Sequence, residues 1–197
     1  MSQVANIQLI RALRKLWQDR RGISAVEFAL LLPFMIALYL GGVEVTAGLS
    51  VQRKVTLTAN ALVNLTAQST ALSDNGTANT DDMNNIMAAA SAVMYPHSAD
   101  NMTAIVSCLK IDPDTKQATV KWSVPFPSTG SGHAVGSTIA VNSDLAGGNS
   151  NLLLSEVTYP YTPPIGYTIT GTMNISDKMY MAPRISAPTF DGTSCTS

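Results

Sequence analysis

The longest apolar run of the chain lies near its N-terminus. Residues 28–43 contain no charged side chain, and Glu27 and Glu44 border this stretch. With the apolar residues that flank it, the run reaches the ~20 residues that a helix needs to cross a bilayer. We therefore predict a transmembrane segment over about 23–49.

Beyond this run, apolar positions continue at the spacing of a helix. Intervals of four, seven and three residues separate Val51, Val55, Leu62 and Leu65. This spacing places them on one helix face. No glycine or proline interrupts residues 50–71. The pattern predicts one helix over 24–72, which Pro33 can kink because proline lacks the amide hydrogen of a helix interior.

The distal half of the chain carries short β-type patterns between turn signals. After a loop over 73–80 and a short helix over 81–95, Asp112-Pro113-Asp114-Thr115 has the composition of a hairpin turn. The predicted strands cover 103–111, 117–124, 137–141, 152–159 and 167–175. We predict an α+β fold in which a small antiparallel sheet packs on the C-terminal half of the long helix. The predicted regions are 1–22, 23–72 and 73–197.

Charge is distributed unevenly along the chain. Residues 1–22 hold five arginines or lysines and one aspartate, a net charge of +4 (5 − 1) within a total of −1, so the remainder carries −5. The positive-inside rule then places the N-terminus in the cytoplasm and the distal domain in the periplasm, although Arg53 and Lys54 follow the span. At 13% charged residues, the chain lacks the dense basic face of a nucleic-acid-binding protein.

Two other interpretations of the apolar segment are a buried helix of a soluble protein and a cleaved secretory signal. The cationic flank argues against the buried helix. A weak small-residue cleavage pattern at 47–50 favours a signal. The long cationic region and Glu27 inside the apolar run both argue against one.

The spacing of Gly22 and Glu27 is compatible with proteolytic cleavage followed by ion pairing between subunits. If the chain is cut after Gly22, Glu27 becomes the fifth residue and Ile23 carries the new α-amine. In a stack of such helices, Glu27 of one subunit can pair with the terminus of another, which offsets part of the desolvation of both charges. The alternative is a capping box, in which Ser24 is the N-cap and Glu27 the third helical residue.

The stretch Gly-Ile-Ser-Ala-Val-Glu-Phe-Ala-Leu-Leu-Leu-Pro at 22–33 resembles the TadE-like pseudopilins of the tight-adherence (Tad/Flp) pilus system. Gly-Gly-Val-Glu at 41–44 is similar to the same family, and the resemblance covers about residues 20–65. It implies a prepilin-like protein whose cationic leader, 1–22, is removed by a prepilin peptidase between Gly22 and Ile23.

The same resemblance implies the roles of two side chains in assembly. Glu27 takes the place of the family's fifth-position glutamate, and Phe28 that of its aromatic neighbour. The major Flp pilins often carry tyrosine at that second position. Phe28 and a large distal domain therefore fit a minor pilin with a pilin-like α+β fold.

The resemblance implies that the protein is a pilus subunit rather than an enzyme. Its partners are other pseudopilins, the major Flp pilin and the inner membrane, and after assembly it can reach the cell surface in the pilus. Its role is pilus assembly, surface adhesion and biofilm formation. The alternatives are an unprocessed single-pass envelope protein serving as a structural subunit of the secretion machine, and a membrane-anchored periplasmic enzyme, for which the sequence carries no motif.

The chemistry-bearing residues of the distal half are few. Cys108 and Cys195 are the two cysteines, and an even count on the predicted external side favours one disulfide over two free thiols. His97 and His133 lie in predicted loops without metal-ligand spacing. We expect no catalytic residue, metal site or cofactor.

Overall fold

The computed structural model describes residues 22–73, 81–146, 150–165 and 171–196. The chain divides into two compact units, Met1–Val45 and Thr46–Ser197. Except for Gly22, the predicted leader lies outside the described residues, and so does the predicted loop except for Ser73.

One long helix, α1, spans Ile23–Gln68. It is the one helix of the described ranges that is long and apolar enough to cross a membrane. It ends four residues before the predicted boundary, because Leu72 lies in the short strand β1, Ala71–Ser73, instead. The backbone amide of Arg184 donates to the carbonyl of Ala67 at 3.0 Å, so a distant segment satisfies one of the carbonyl groups that a helix end leaves open.

The elements after β1 alternate between short helices and strands. They are β2 (Asp81–Asp82), α2 (Met83–Ser91), a 3₁₀ turn (Ala92–Met94), β3 (Thr103–Ile111), β4 (Ala118–Phe126), β5 (Thr138–Ile139), α3 (Ser143–Ala146), β6 (Asn151–Tyr161), β7 (Met173–Met181) and β8 (Thr189–Phe190). The helix predicted over 81–95 is thus shorter in the structure, where the α-helix covers only Met83–Ser91. The last long strand begins at Met173, and residues 167–170 of its predicted range lie outside the described residues.

The five-stranded sheet has the order β5-β4-β3-β6-β7, with antiparallel neighbours throughout. A second small sheet, β2-β1-β8, is parallel. The predicted α+β fold, a long apolar helix followed by an antiparallel sheet, is confirmed.

The main core lies between α1 and one face of the five-stranded sheet. The helix residues that are fully buried there include Val51, Val55, Ala59, Leu62 and Val63. The hydroxyl of Ser155 on β6 donates to the carbonyl of Ala59 at 2.7 Å. The periodic apolar positions of the sequence therefore form the helix face that packs on the chain's own sheet. Leu65 is half-buried at the edge of this face.

The opposite face of the sheet holds a smaller core near the β3–β4 turn. Its buried side chains are Leu109, Ile111, Ala118, Val120, Ala146, Leu152 and Leu154. Ile139 and Val141 pack against this cluster, so the segment that carries β5 and α3 covers part of the face.

The β3–β4 hairpin turns where the sequence predicts. The carboxylate of Asp112 accepts hydrogen bonds from the amides of Thr115 at 2.8 Å and Asp114 at 2.9 Å. The amide of Thr115 contributes most to holding the pKa of Asp112 below its ordinary value of 3.8, because these donors favour the charged carboxylate. Lys116 completes the turn with a positive φ of 57°.

This turn should make the free energy of unfolding of the distal unit depend on pH in the acidic range. Because folding lowers the pKa of Asp112, its contribution is present above 3.8 and lost as the pH falls through the folded value. Asp112→Asn keeps an acceptor oxygen but cannot titrate. We expect the stability advantage of the wild type over this variant to be larger at about pH 6 than at about pH 3. Urea unfolding at both pH values measures it, and a constant difference would contradict the assignment.

Candidate functional site

The N-terminal turn of α1 holds the residues of the predicted cleavage and pairing. Gly22 is exposed and immediately precedes Ile23, the first helical residue. Glu27 is therefore the fifth helical residue, and its side chain is exposed. The capping-box interpretation is wrong, because Ser24 lies inside the helix and a capping box needs the acidic side chain at the third helical position.

The helix surface around Glu27 is apolar and uncovered within the chain. Every residue from 22 to 39 is exposed, and Phe28 retains 58% of its accessible surface. An apolar surface of this extent marks a membrane or protein contact. A carboxylate within it is expensive to transfer from water unless another group pairs with it.

The two cysteines meet in the distal unit, as predicted. Cys108 on β3 and Cys195 near the C-terminus form a disulfide with a Cα–Cα distance of 6.0 Å, and both are fully buried. The bond joins the C-terminal segment, which we define as residues 182–196, to a central strand of the five-stranded sheet.

Hydrogen bonds hold the rest of the C-terminal segment against the same unit. The indole of Trp122 donates to the carbonyl of Pro188 at 3.1 Å, and Nζ of Lys110 donates to the carbonyl of Thr196 at 2.9 Å. Strand β8 of this segment also pairs with β1. The segment thus closes the core from the end of α1 to the middle of the sheet.

We expect Cys195→Ser to destabilise the distal unit by about 4 kcal/mol, because the bond closes a large loop in the unfolded chain. The sequence separation of the two cysteines is 87 residues. The free energy of unfolding of the full chain, measured in urea with detergent, tests this value. Reduced wild-type protein should fall to a similar stability. A loss below about 1 kcal/mol, the scale of one hydrogen bond, would contradict a main role for the crosslink.

A groove of about 630 Å³ lies at the β6–β7 side of the five-stranded sheet. Its lining includes Ile105, His133, Glu156, Thr158, Ser176 and Lys178. Nε2 of His133 contacts the carboxylate of Glu156, and the amide of His133 donates to Ser123 Oγ at 2.9 Å. These contacts fix the loop that follows β4 onto the sheet.

His133 lies in a loop, as predicted, but its partner is one that the sequence did not indicate. Glu156 lies 23 residues away on β6, opposite Lys178 on β7, and no sequence motif joins the three. His97 is elsewhere, with its ring centroid 6.4 Å from that of Tyr159. Within the ranges that the structure describes, no three His, Cys, Asp or Glu side chains are grouped so that they could hold a metal ion.

Comparison with known proteins adds one finding to this geometry. Residues 22–63 match the family model described as TadE-like protein. The match covers the apolar N-terminal part of α1 and the first turns that pack on the sheet. No curated protein and no solved structure matches the chain. The resemblance stated from residues 22–33 and 41–44 is confirmed, and it is consistent with a TadE-like protein of the Tad pilus system.

Proposed function

We propose, from the premise that residues 22–63 form a TadE-like segment, that this protein is a minor pilin of a Tad/Flp pilus. A prepilin peptidase removes residues 1–22, and the mature chain enters the pilus or its initiation complex beside other pseudopilins and the major Flp pilin. Its role is structural, in assembly and thereby in surface adhesion and biofilm formation, and it is not an enzyme.

The observation that carries this proposal is the position of Glu27 on α1. The carboxylate lies on the fifth residue of an exposed apolar helix that begins directly after Gly22. Cleavage after Gly22 places a cation on Ile23, about one helical turn away. Each mature subunit would carry both charges near its N-terminus. The Glu27 carboxylate of one subunit can then pair with the Ile23 α-amine of the next along a stack of identical or related subunits.

Helix geometry gives this pairing an axial offset. At 1.5 Å per residue, the four-residue step from Ile23 to Glu27 is ~6 Å along the helix axis. A neighbouring helix must shift by about that distance to bring its α-amine level with Glu27. The ion pair would thus set the register between adjacent helices, since a mismatch would leave both charges desolvated and unpaired.

The disulfide supports an external location for the distal unit. A buried bond between Cys108 and Cys195 is typical of proteins that fold in an oxidising compartment such as the periplasm. With α1 in the inner membrane, the C-terminal domain would then be periplasmic and the N-terminus cytoplasmic, in agreement with the charge of residues 1–22.

Mass spectrometry of the membrane-extracted protein tests the proposal. A mature chain that begins at Ile23 supports the pilin assignment. A chain that retains residues 1–22 in a strain with active prepilin peptidase would favour the unprocessed envelope protein and overturn the pilin assignment.

A further inference from the structure

Strand β7 forms one edge of the five-stranded sheet. It is nine residues long, Met173–Met181, whereas β5 at the opposite edge has only two residues. Proteins normally protect a long edge with proline, a bulge or a covering segment, because its free backbone groups can pair with another chain. The nine described residues of β7 contain no proline and pair with β6 without a bulge. This edge therefore lacks two of the usual protections.

The hydrogen-bond alternation of the sheet shows which residues of β7 face outward. The amide of Ile111 donates to the carbonyl of Ser150 at 2.9 Å, so this pair, next to the β3–β6 ladder, is hydrogen-bonded. Hydrogen-bonded and non-hydrogen-bonded pairs alternate in an antiparallel ladder. The even-numbered residues of β6 therefore bond to β3, and the odd-numbered ones bond to β7. The even-numbered residues of β7 then point their amides and carbonyls away from the sheet. These residues are Asn174, Ser176, Lys178 and Tyr180.

One of these outward amides bonds to a side chain of the strand itself. The amide of Lys178 donates to Oδ1 of Asp177 at 2.8 Å. The other carboxylate oxygen of Asp177 accepts from the hydroxyl of Thr56 on α1 at 2.5 Å. Within the ranges that the structure describes, no backbone group of another segment bonds to the outward side of β7, and no cation forms a salt bridge with Asp177. The Asp177 carboxylate thus takes the place of a neighbouring strand at this point.

The side chains around Asp177 define what a neighbouring strand must offer. Ile175 and Met179 lie two positions to either side of it, and both pack against the main core. All three side chains are half-buried. Being odd-numbered, they would form non-hydrogen-bonded pairs with an added antiparallel strand, and side chains are closest in such pairs. A basic residue opposite Asp177, with apolar residues opposite its two neighbours, would match this edge.

We propose that β7 is a docking edge for an extended segment of another protein, in which a basic residue lies between two apolar residues at alternate positions. The segment would add to the sheet as one more antiparallel strand. Its carbonyl would accept the amide of Lys178, and its basic side chain would bind the Asp177 oxygen that this amide now occupies. In strand addition of this kind, backbone hydrogen bonds supply affinity and alternate side chains supply specificity.

A second copy of β7 matches this edge less well. Antiparallel pairing that uses all four outward residues of both strands would place Asp177 directly opposite the Asp177 of the copy. Like charges in directly opposite positions are destabilising. Shifting the register by two residues leaves an outward residue of each strand without a partner in the nine-residue strand of the other. Charge and register therefore favour a basic segment of a different protein.

Labelled peptides test the edge on the full chain in detergent. The first peptide has the length of β7, with lysine at its centre, valine two positions to either side and threonine elsewhere. A second peptide carries N-methyl groups on the two residues next to the lysine, whose amides would bond to β7. A third carries them on the two valines, whose amides would face away. We expect fluorescence anisotropy to show equal binding of the first and third peptides. Binding of the second should be at least about tenfold weaker, since it loses about two hydrogen bonds.

Variants at Ser176 test the same edge from the side of the protein. Ser176→Pro removes an outward amide without removing a β6–β7 bond, because proline is tolerated in an edge strand where its nitrogen faces solvent. We expect this variant to lose binding of the first peptide and Ser176→Ala to keep it. Far-ultraviolet circular dichroism establishes that both variants are folded. Replacing the central lysine of the peptide with glutamate should weaken binding several-fold, because glutamate would face Asp177.

Two outcomes would overturn the proposal. The first is no saturable binding of the lysine peptide, or equal binding of all three backbone forms. The second is dimerisation of the full chain that Ser176→Pro abolishes, which would assign the edge to a second copy. None of these measurements depends on cleavage after Gly22 or on assembly into a pilus, so failure of this inference is distinguishable from failure of the pilin assignment.

Discussion

Gly22→Leu should leave the full-length protein in the membrane and abolish the chain that begins at Ile23. The physical reason is recognition: a peptidase that requires glycine before the cut has no room for a branched side chain there. Among the residues that the structure describes, no atom lies within 4 Å of a Cβ added at Gly22. The variant should therefore fold normally, and any loss of processing reports on the peptidase. The masses of both forms, measured in membrane extracts, give the result.

Gly41→Leu is the matched control for this variant. A Cβ added at Gly41 likewise meets no atom of the described ranges within 4 Å, and leucine is a better helix former than glycine. This control should be cut like the wild type. If Gly22→Leu also yields a chain that begins at Ile23, the cleavage assignment is wrong. If neither variant is cut, the substitutions disturb membrane insertion rather than recognition.

Glu27→Gln should sharply reduce assembly while leaving the distal fold intact. In the proposed stack, the variant leaves the α-amine of a neighbouring Ile23 without its counter-charge in an apolar layer. Breaking such a buried pair costs about 3 kcal/mol or more, which is about a 100-fold change in an association constant. The distal unit begins at Thr46, so its stability should not change. Recovery with partner pilins and pilus-dependent adhesion measure the effect.

The conservative variant Glu27→Asp separates charge from shape. Aspartate keeps the carboxylate on a shorter side chain, so Glu27→Asp should assemble better than Glu27→Gln. Wild-type pili and adhesion in the Glu27→Gln strain would remove the pairing hypothesis. Equal loss in both variants would mean that assembly requires both the charge and the full length of the glutamate side chain.

Several features of this protein follow from local sequence alone. The apolar run and the helical spacing of Val51, Val55 and Leu62 predict α1, because periodicity is a property of one segment. The Asp112 turn is equally local, since its carboxylate bonds to amides two and three residues away. The pairing of Cys108 with Cys195 followed from there being only two cysteines in a chain expected to fold outside the cytoplasm.

Tertiary structure decided what depends on contacts between distant residues. Helix α1 ends at Gln68 rather than at 72, where residues 71–73 join a parallel sheet with β8, more than a hundred positions later. His133 meets Glu156 only because the loop after β4 folds back onto β6. Strand β6 could be predicted from the sequence, but the ring of Tyr161 lies beside Gly48 only because β6 runs antiparallel to α1. Periodicity specifies which face of an element is buried, whereas the partner of that face is chosen by packing of the whole unit.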